Sequence, residues 1–361
     1  MEKALRKSAP LAALLLSAAI LLPSAGELRA QDGDPKGSPG TQAAEPADTE
    51  YHTLASELDL KPQGPQILRA PTDDLALPLL DDTIDATKRA YSAYQRGFYL
   101  TAMDLALSPA QSGDAAAQTL VAELFSEGLG VPRSMEDAAF WYKQAAENGN
   151  PSAQFKYAIM LLEGKFVPVD AKKSRELMKE AADAGNAFAQ FNHAQSVVAR
   201  HPGDAGIREA LPYFEKSAVQ GVADAQYALA QIYMNSIGIP EDKRAKARDW
   251  MRRAAAAGYD TAQLDMGIWL IDGVGGDKDY EQGFRWMEIA ANRGNVAAQN
   301  KLAVLYVNAI GTRPDPVEAA KWYIISKRAG YNDPSLDDFY QGLTSEQQKA
   351  AIDRANKFAR R

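Results

Sequence analysis

Small, apolar and polar positions recur along this chain with a period of 36 residues. Gly113-Asp-Ala-Ala-Ala117-Gln118 returns at Gly149…Ala153-Gln154, Gly185…Ala189-Gln190, Gly221…Ala225-Gln226, Gly258…Ala262-Gln263 and Gly294…Ala298-Gln299. A seventh copy begins at Gly330 and decays; the glycine spacings are 36, 36, 36, 37, 36 and 36. Six G-x-x-x-A-Q matches in one register mark internal repeats. Each repeat predicts two antiparallel helices of about 13–15 residues. Eight residues before a glycine stand Trp141, Leu177, Tyr213, Trp250, Trp286 and Trp322, large groups expected to anchor a core. Small residues lie three places before those (Ala138, Ser174, Ala210, Ala247, Gly283, Ala319) and nine after each glycine (Ala122, Ala158, Ala194, Ala230, Gly267, Ala303). They let paired helices approach closely. Ser134, Asp170, Asp242, Asp279 and Asp315 are expected N-caps of the second helices. Each repeat glycine is expected to supply a left-handed stop. The extra residue of the 37-residue unit falls between Asp242 and Trp250, inside a second helix.

No such unit buries its apolar face alone, so neighbours must stack. The expected fold is all-α: an α-solenoid of about seven antiparallel helix pairs over residues 81–335, closed by a C-terminal cap helix within 336–361. Tyr91, Tyr94, Gly97 and Tyr99 belong to an opening pair, and Thr344-Ser-Glu-Gln-Gln348 is a capping-box start for the last helix. Only the loop at residues 201–206 breaks the pattern.

The first 80 residues read differently. Lys3, Arg6 and Lys7 precede an uncharged apolar run at residues 11–22, too short to span a bilayer as a helix. Ser24, Ala25 and Gly26 follow, then Leu28-Arg29-Ala30. This is the pattern of a secretory leader over residues 1–30, cleaved after Ala30 or after Gly26. Residues 31–80 hold seven of the 19 prolines, nine acids, three bases and one aromatic, Tyr51. They are expected to form a disordered acidic tether. Tyr51, Leu54 and Leu58 make a short amphipathic pattern within it.

Composition narrows the chemistry. Cysteine is absent, which removes disulfides, thiolate metal sites and cysteine nucleophiles. The formal charge is −7; residues 1–30 carry four bases against two acids, so the remaining chain is at −9. That balance argues against a nucleic-acid partner. With three histidines, and none spaced against another ligand, no metal and no cofactor are expected. The turn at residues 273–278 (G-V-G-G-D-K) superficially resembles a phosphate loop. It lacks the following Ser/Thr and the preceding strand, and it occupies the repeat's own glycine turn, as does Gly128-Leu-Gly130. His193 occupies a position that is apolar in most other copies and is expected to be a buried core histidine. No catalytic residues are assigned.

The pattern A-Q-x-x-L-A-x-L-Y-x-x-G-x-G-V, then D-x-x-x-A-x-x-W-Y-x-x-A-A-x-x-G, is clearest at residues 117–149, 262–294 and 298–330. It resembles the Sel-one-like repeat (SLR) family, a branch of the tetratricopeptide (TPR) superfamily. The resemblance runs over residues 83–335. It implies an α-solenoid that binds other proteins and carries no enzyme activity. Export together with the opening tyrosine hairpin is similar to periplasmic members of the family that regulate exopolysaccharide signalling. The disulfide-bearing, β-lactamase-binding members differ by cysteines that this chain lacks.

In that superfamily the first helix of each pair lines the concave face. Six residues after each glycine stand Thr119, Phe155, Phe191, Tyr227, Leu264 and Asn300; ten after stand Glu123, Ile159, Gln195, Gln231, Ile268 and Val304. The expected partner-binding groove is Phe155, Ile159, Phe191, Tyr227, Gln231, Leu264 and Ile268, with the aromatic side chains as anchors. The same positions would be core if packing between neighbouring first helices buried them. The implied function is a periplasmic adaptor or regulator. Its partner would be a protein or peptide, such as a sensor-kinase ectodomain or an envelope enzyme. A secreted factor acting on other cells and an envelope-polymer hydrolase are the alternatives.

Overall fold

The computed structural model describes residues 85–358. The segments read as leader (1–30) and tether (31–80) lie outside them. The described residues are helical, with no strand among them, and fall into two compact units that meet in sequence at Ala184 and Gly185.

The N-terminal unit holds three antiparallel pairs: α1 (Ala86–Gln95) with α2 (Tyr99–Gln111), α3 (Ala115–Glu127) with α4 (Met135–Glu147), and α5 (Pro151–Glu163) with α6 (Ala171–Asp183). The C-terminal unit begins with α7 (Ala187–Arg200) and α8 (Asp204–Val219). Next come α9 (Ala223–Asn235) and a second helix broken into α10 (Glu241–Arg244) and α11 (Ala247–Ala256). Two regular pairs follow, α12 (Asp260–Asp272) with α13 (Tyr280–Asn292) and α14 (Val296–Val307) with α15 (Pro316–Arg328). Short α16 (Pro334–Gln341) and α17 (Ser345–Phe358) complete the unit. In each unit helices pack chiefly on their neighbours in sequence, as stacked repeats do.

Local chemistry explains the boundaries. The side chains of Ser134, Asp170, Asp279 and Asp315 each accept from a backbone N–H in the first turn of a second helix. Asp114, Asn150, Asn186 and Asn295 cap first helices in the same way, directly after the repeat glycine. The repeat glycines take positive φ, 81° at Gly149 and 95° at Gly294, which stops each second helix at no Cβ cost. The small positions meet as expected. A Cβ on Gly267 would lie 3.1 Å from the Gly283 carbonyl oxygen, and Ser174 Oγ donates to the Ala158 carbonyl at 2.7 Å.

The glutamine of the A-Q pair has a structural role that its recurrence alone does not disclose. Nε2 of Gln118, Gln226, Gln263 and Gln299 donates to the carbonyls of Ala110, Ala218, Ala255 and Ala291, at 2.9–3.1 Å. Each acceptor belongs to the last turn of the preceding second helix, where carbonyls lack helical partners. The glutamine therefore fastens one repeat to the next. Gln263→Leu should remove that clip, leave the Ala255 carbonyl with only the Gly258 N–H at 3.1 Å, and lower stability by about 1 kcal/mol in urea titration.

Three expectations change. The core residue of each second helix stands seven, not eight, places before the glycine. Tyr142, Met178, Phe214, Met251, Met287 and Tyr323 are all buried there, whereas Trp141, Tyr213, Trp250 and Trp286 are half-exposed. Leu177 and Trp322 are buried at the expected place as well; Trp141, Trp250 and Trp286 instead flank the core, where one end of a large amphipathic ring stays in contact with water. Arg253 lies 4.5 Å over the Trp250 ring. Second, Asp242 caps nothing: the extra residue of its repeat splits the helix, so α10 starts after Pro240. Third, the irregular unit breaks the pattern where expected, but the loop is shorter than residues 201–206, since 204–206 already belong to α8. His201 and Gly203 lead directly from α7 into α8, and Gly206 sits so close to the His201 carbonyl that a Cβ would overlap it, at 1.8 Å.

At the C-terminus Thr344 and Gln347 form the expected capping box, exchanging bonds of 3.1 and 3.3 Å. Helix α17 buries Ala351 and Ala355. It sets Phe358 edge-on to Trp322, with centroids 5.1 Å apart, and pairs Arg354 with Glu318 at 2.7 Å.

Candidate functional site

Of the seven predicted groove residues, Phe155, Ile159, Phe191, Tyr227 and Gln231 are buried, and only Leu264 and Ile268 are half-buried. In the N-terminal unit Phe155 and Ile159 of α5 are each only 2% exposed. In the C-terminal unit Phe191 of α7 is also 2% exposed, its ring edge-on to Phe214 of α8 at 5.9 Å. Thr119 and Asn300, at the same register position in the first and last units, are buried as well. The position six residues after the glycine thus belongs to the packed interior, and the row of accessible aromatic anchors is absent at Phe155 and Phe191. The physical reason is close packing of each first helix against its own second helix across the small residues at position nine.

The C-terminal unit does bring four of the seven together. Tyr227 and Gln231 lie one turn apart on α9, and Leu264 and Ile268 one turn apart on α12. Asp265 links the two helices. Its Oδ2 accepts from Tyr227 Oη and from Gln231 Nε2, both at 3.0 Å. Gln231 also donates to Tyr227 Oη at 3.3 Å, and its own carbonyl accepts from Asn235 Nδ2 at 2.9 Å. The Tyr259 ring lies beside Tyr227, centroids 5.1 Å apart and tilted by 41°. Leu264 and Ile268 of α12 and Val304 of α14 are half-buried and pack on the core of the last repeats.

Sequence reasoning missed Asp265. It stands seven residues after its glycine, beside the stripe at positions six and ten. The available signal was an acid set among Leu264, Met266 and Ile268.

Burial dominates the electrostatics. It raises the Asp265 carboxyl above the usual carboxylate range, against the bonds from Tyr227 and Gln231 and the attraction of Lys301. Burial likewise raises Asp224 on α9. Tyr259 is pushed up to about 12, by burial first and then by Asp224 and Asp265. In the N-terminal unit Glu123 of α3 is raised by burial, opposed by Lys156. Because the native Asp265 carboxyl holds its proton more tightly than the unfolded chain does, its ionisation weakens folding. Stability relative to Asp265→Asn should therefore fall as pH rises from about 4, the unfolded value, and level off above the native one. Paired thermal melts across that range read this directly.

The turn at residues 273–278 is structural. Arg248 donates to its carbonyls at Val274, Gly276 and Asp277, at 2.8–2.9 Å, and to Trp269 at 3.3 Å. His193 is buried beside the Tyr213 ring, centroids 4.7 Å apart. Among the described residues no cluster of His, Asp and Glu could hold a metal ion, and no helix is long and apolar enough to cross a membrane.

Stacked helix pairs, glycine stops and glutamine clips define a helical repeat scaffold of the kind that mediates protein–protein interaction. The Sel1 repeat family model matches residues 115–150, 151–186, 223–259, 261–295 and 296–331, and the chain belongs to that family. The unmatched stretch between the second and third matches is the irregular unit. A Sel1 repeat protein from Oxalobacter formigenes is 25% identical and superposes with a TM-score of 0.55, over 67% of this chain and 99% of that one. A protective antigen of uropathogenic Escherichia coli with an SLR fold is 26% identical, over 76% of this chain and 68% of that one, with a TM-score of 0.49. No curated protein matches the sequence.

Proposed function

We propose that this protein is a non-enzymatic adaptor or regulator, exported to the periplasm, that binds a protein partner along its first helices and acts in envelope or exopolysaccharide regulation. The observation that carries the reading is the face of α9, α12 and α14. There a fixed polar centre at Asp265 lies beside half-buried Leu264 and Ile268 of its own helix, with half-buried Val304 on the next first helix, an arrangement suited to holding a peptide segment. Phe155 and Ile159 in the N-terminal unit, and Phe191 in the C-terminal one, are buried and do not touch the partner. The leader pattern of residues 1–30 supports export, and the absence of cysteine from the whole chain leaves no catalytic thiol.

Affinity capture from envelope extracts tests it, comparing the wild type with a Leu264→Ser/Ile268→Ser variant whose melting is checked in parallel. The expected result is a small set of proteins retained by the wild type and lost from the variant. Identical profiles would overturn the assigned face. Recovery of the protein from culture supernatant and not from periplasm would overturn the location.

A further inference from the structure

We infer that the α9–α12–α14 face is built to receive a basic side chain, lysine or arginine, carried between apolar residues of the partner's segment, with Asp265 as its counter-charge. This rests on the adaptor reading above and names the chemistry of the partner.

The argument begins with how carboxylates are treated elsewhere in the same unit. Asp260 pairs with Arg293, Glu215 with Lys243, Asp249 with Arg252, Glu318 with Lys321 and Arg354, and Asp337 with Lys327. Several of these acids are well exposed and gain little from a partner. Asp265 is more deeply set, yet no cationic group among the described residues lies within ion-pair distance of it; Lys301 acts only from further away. One carboxylate oxygen is held by Tyr227 and Gln231, which fixes the group's direction. The other accepts no hydrogen bond from a described side chain or backbone group. A desolvated carboxylate held rigid but unpaired gains more from an incoming cation than a solvated one does.

The surroundings select the same ligand. The half-exposed Tyr259 ring, packed beside buried Tyr227, offers π surface to a cation. Leu264 precedes Asp265, Ile268 follows one turn later, and half-buried Val304 lies on the next first helix. A basic side chain with apolar neighbours on its own chain satisfies all three. The protein's own residues 31–80, with nine acids and three bases, carry the wrong sign for this face. Charge complementarity therefore points to a separate, basic partner.

The test is selection of phage-displayed random short peptides on the full chain, followed by fluorescence anisotropy with the enriched peptide as probe. The expected enriched sequences carry Lys or Arg between apolar residues. Asp265→Asn keeps acceptors for Tyr227 and Gln231, should melt near the wild type, and should weaken the probe's affinity about tenfold or more. Asp265→Lys should regain affinity for a probe in which the base is replaced by glutamate. If the Asn variant melts early, the salt dependence of wild-type binding decides instead: a steep loss supports the pair, and a flat response overturns it. Enriched peptides without a base, or an Asn variant within about twofold of wild type, would overturn this inference and leave the adaptor reading standing. No enrichment at all would overturn the adaptor reading itself.

Discussion

Replacing Phe214 with alanine is expected to cost about 3–5 kcal/mol, while Trp286→Ala costs less than half of that. Phe214 is fully buried on α8 and packs edge-on against Phe191 of α7, so its removal leaves a cavity between the two helices of a pair. Trp286 is half-exposed on α13, and much of its ring is already in contact with solvent. The two residues stand one place apart in the repeat register, so the comparison tests which position anchors the core. Phe191→Ser should follow Phe214→Ala, since it empties the same contact. Stability in a repeat stack is mostly nearest-neighbour, so amide exchange should rise first over α7, α8 and α9 and least over α15 and α17. A Phe191→Ser protein that melts like the wild type would return this position to the surface and contradict its assignment to the interior.

Gly311→Ala should be nearly as damaging, about 3 kcal/mol or more, although it adds a single methyl group. Gly311 has φ of 69°, and the left-handed region alone costs an L-residue about 1–2 kcal/mol. The added Cβ would also lie 2.0 Å from the Tyr280 carbonyl oxygen and 2.8 Å from Phe284 Cβ. Backbone of α13 must shift to admit it, and that helix is held on its other side by α12. Gly113→Ala is the control. It has a comparable positive φ of 95° with open space where the Cβ would go, so it should lose only about 1 kcal/mol. The difference in urea midpoint at unchanged slope isolates the contact from the dihedral. Equal losses at the two glycines would show that the turn before α15 is not pressed against α13.

Much of this fold is legible because its determinants are local and repeated. Glycine stops, the caps at Ser134, Asp170, Asp279 and Asp315 and the small pairs such as Gly267 and Gly283 act within a few residues of their own positions. Seeing them six times separates them from chance. Side-chain size alone points to tryptophan as the core residue; burial depends on the angle around the helix, and Met251 and Met287 are better directed than Trp250 and Trp286. The candidate face was half legible. Tyr227, Gln231, Leu264 and Ile268 lie on the stripe that helical geometry marks out, but Phe191 is buried against Phe214 of its own pair, a contact concealed while the core position is read one residue away, at Tyr213. Asp265 escaped because its bonds run 34 and 38 residues back, to α9. The even glycine spacing likewise gives no sign of the boundary at Ala184 and Gly185 between the two units.

The 37-residue repeat shows how such a chain tolerates a change in length. Its surplus residue is absorbed wholly between Pro240 and Ala247, by breaking the second helix into α10 and α11. On either side of it, Ala225 and Ala262 are both fully buried, and Gln226 and Gln263 fasten to the preceding helix with the same 3.1 Å bond. An insertion on the second helix therefore leaves the spacing of α9 and α12 intact, and with it the Tyr227–Asp265 link. One layer of the repeat can drift by single-residue insertions and deletions during evolution, while the layer that would read a partner changes only by substitution or by gain and loss of whole repeats.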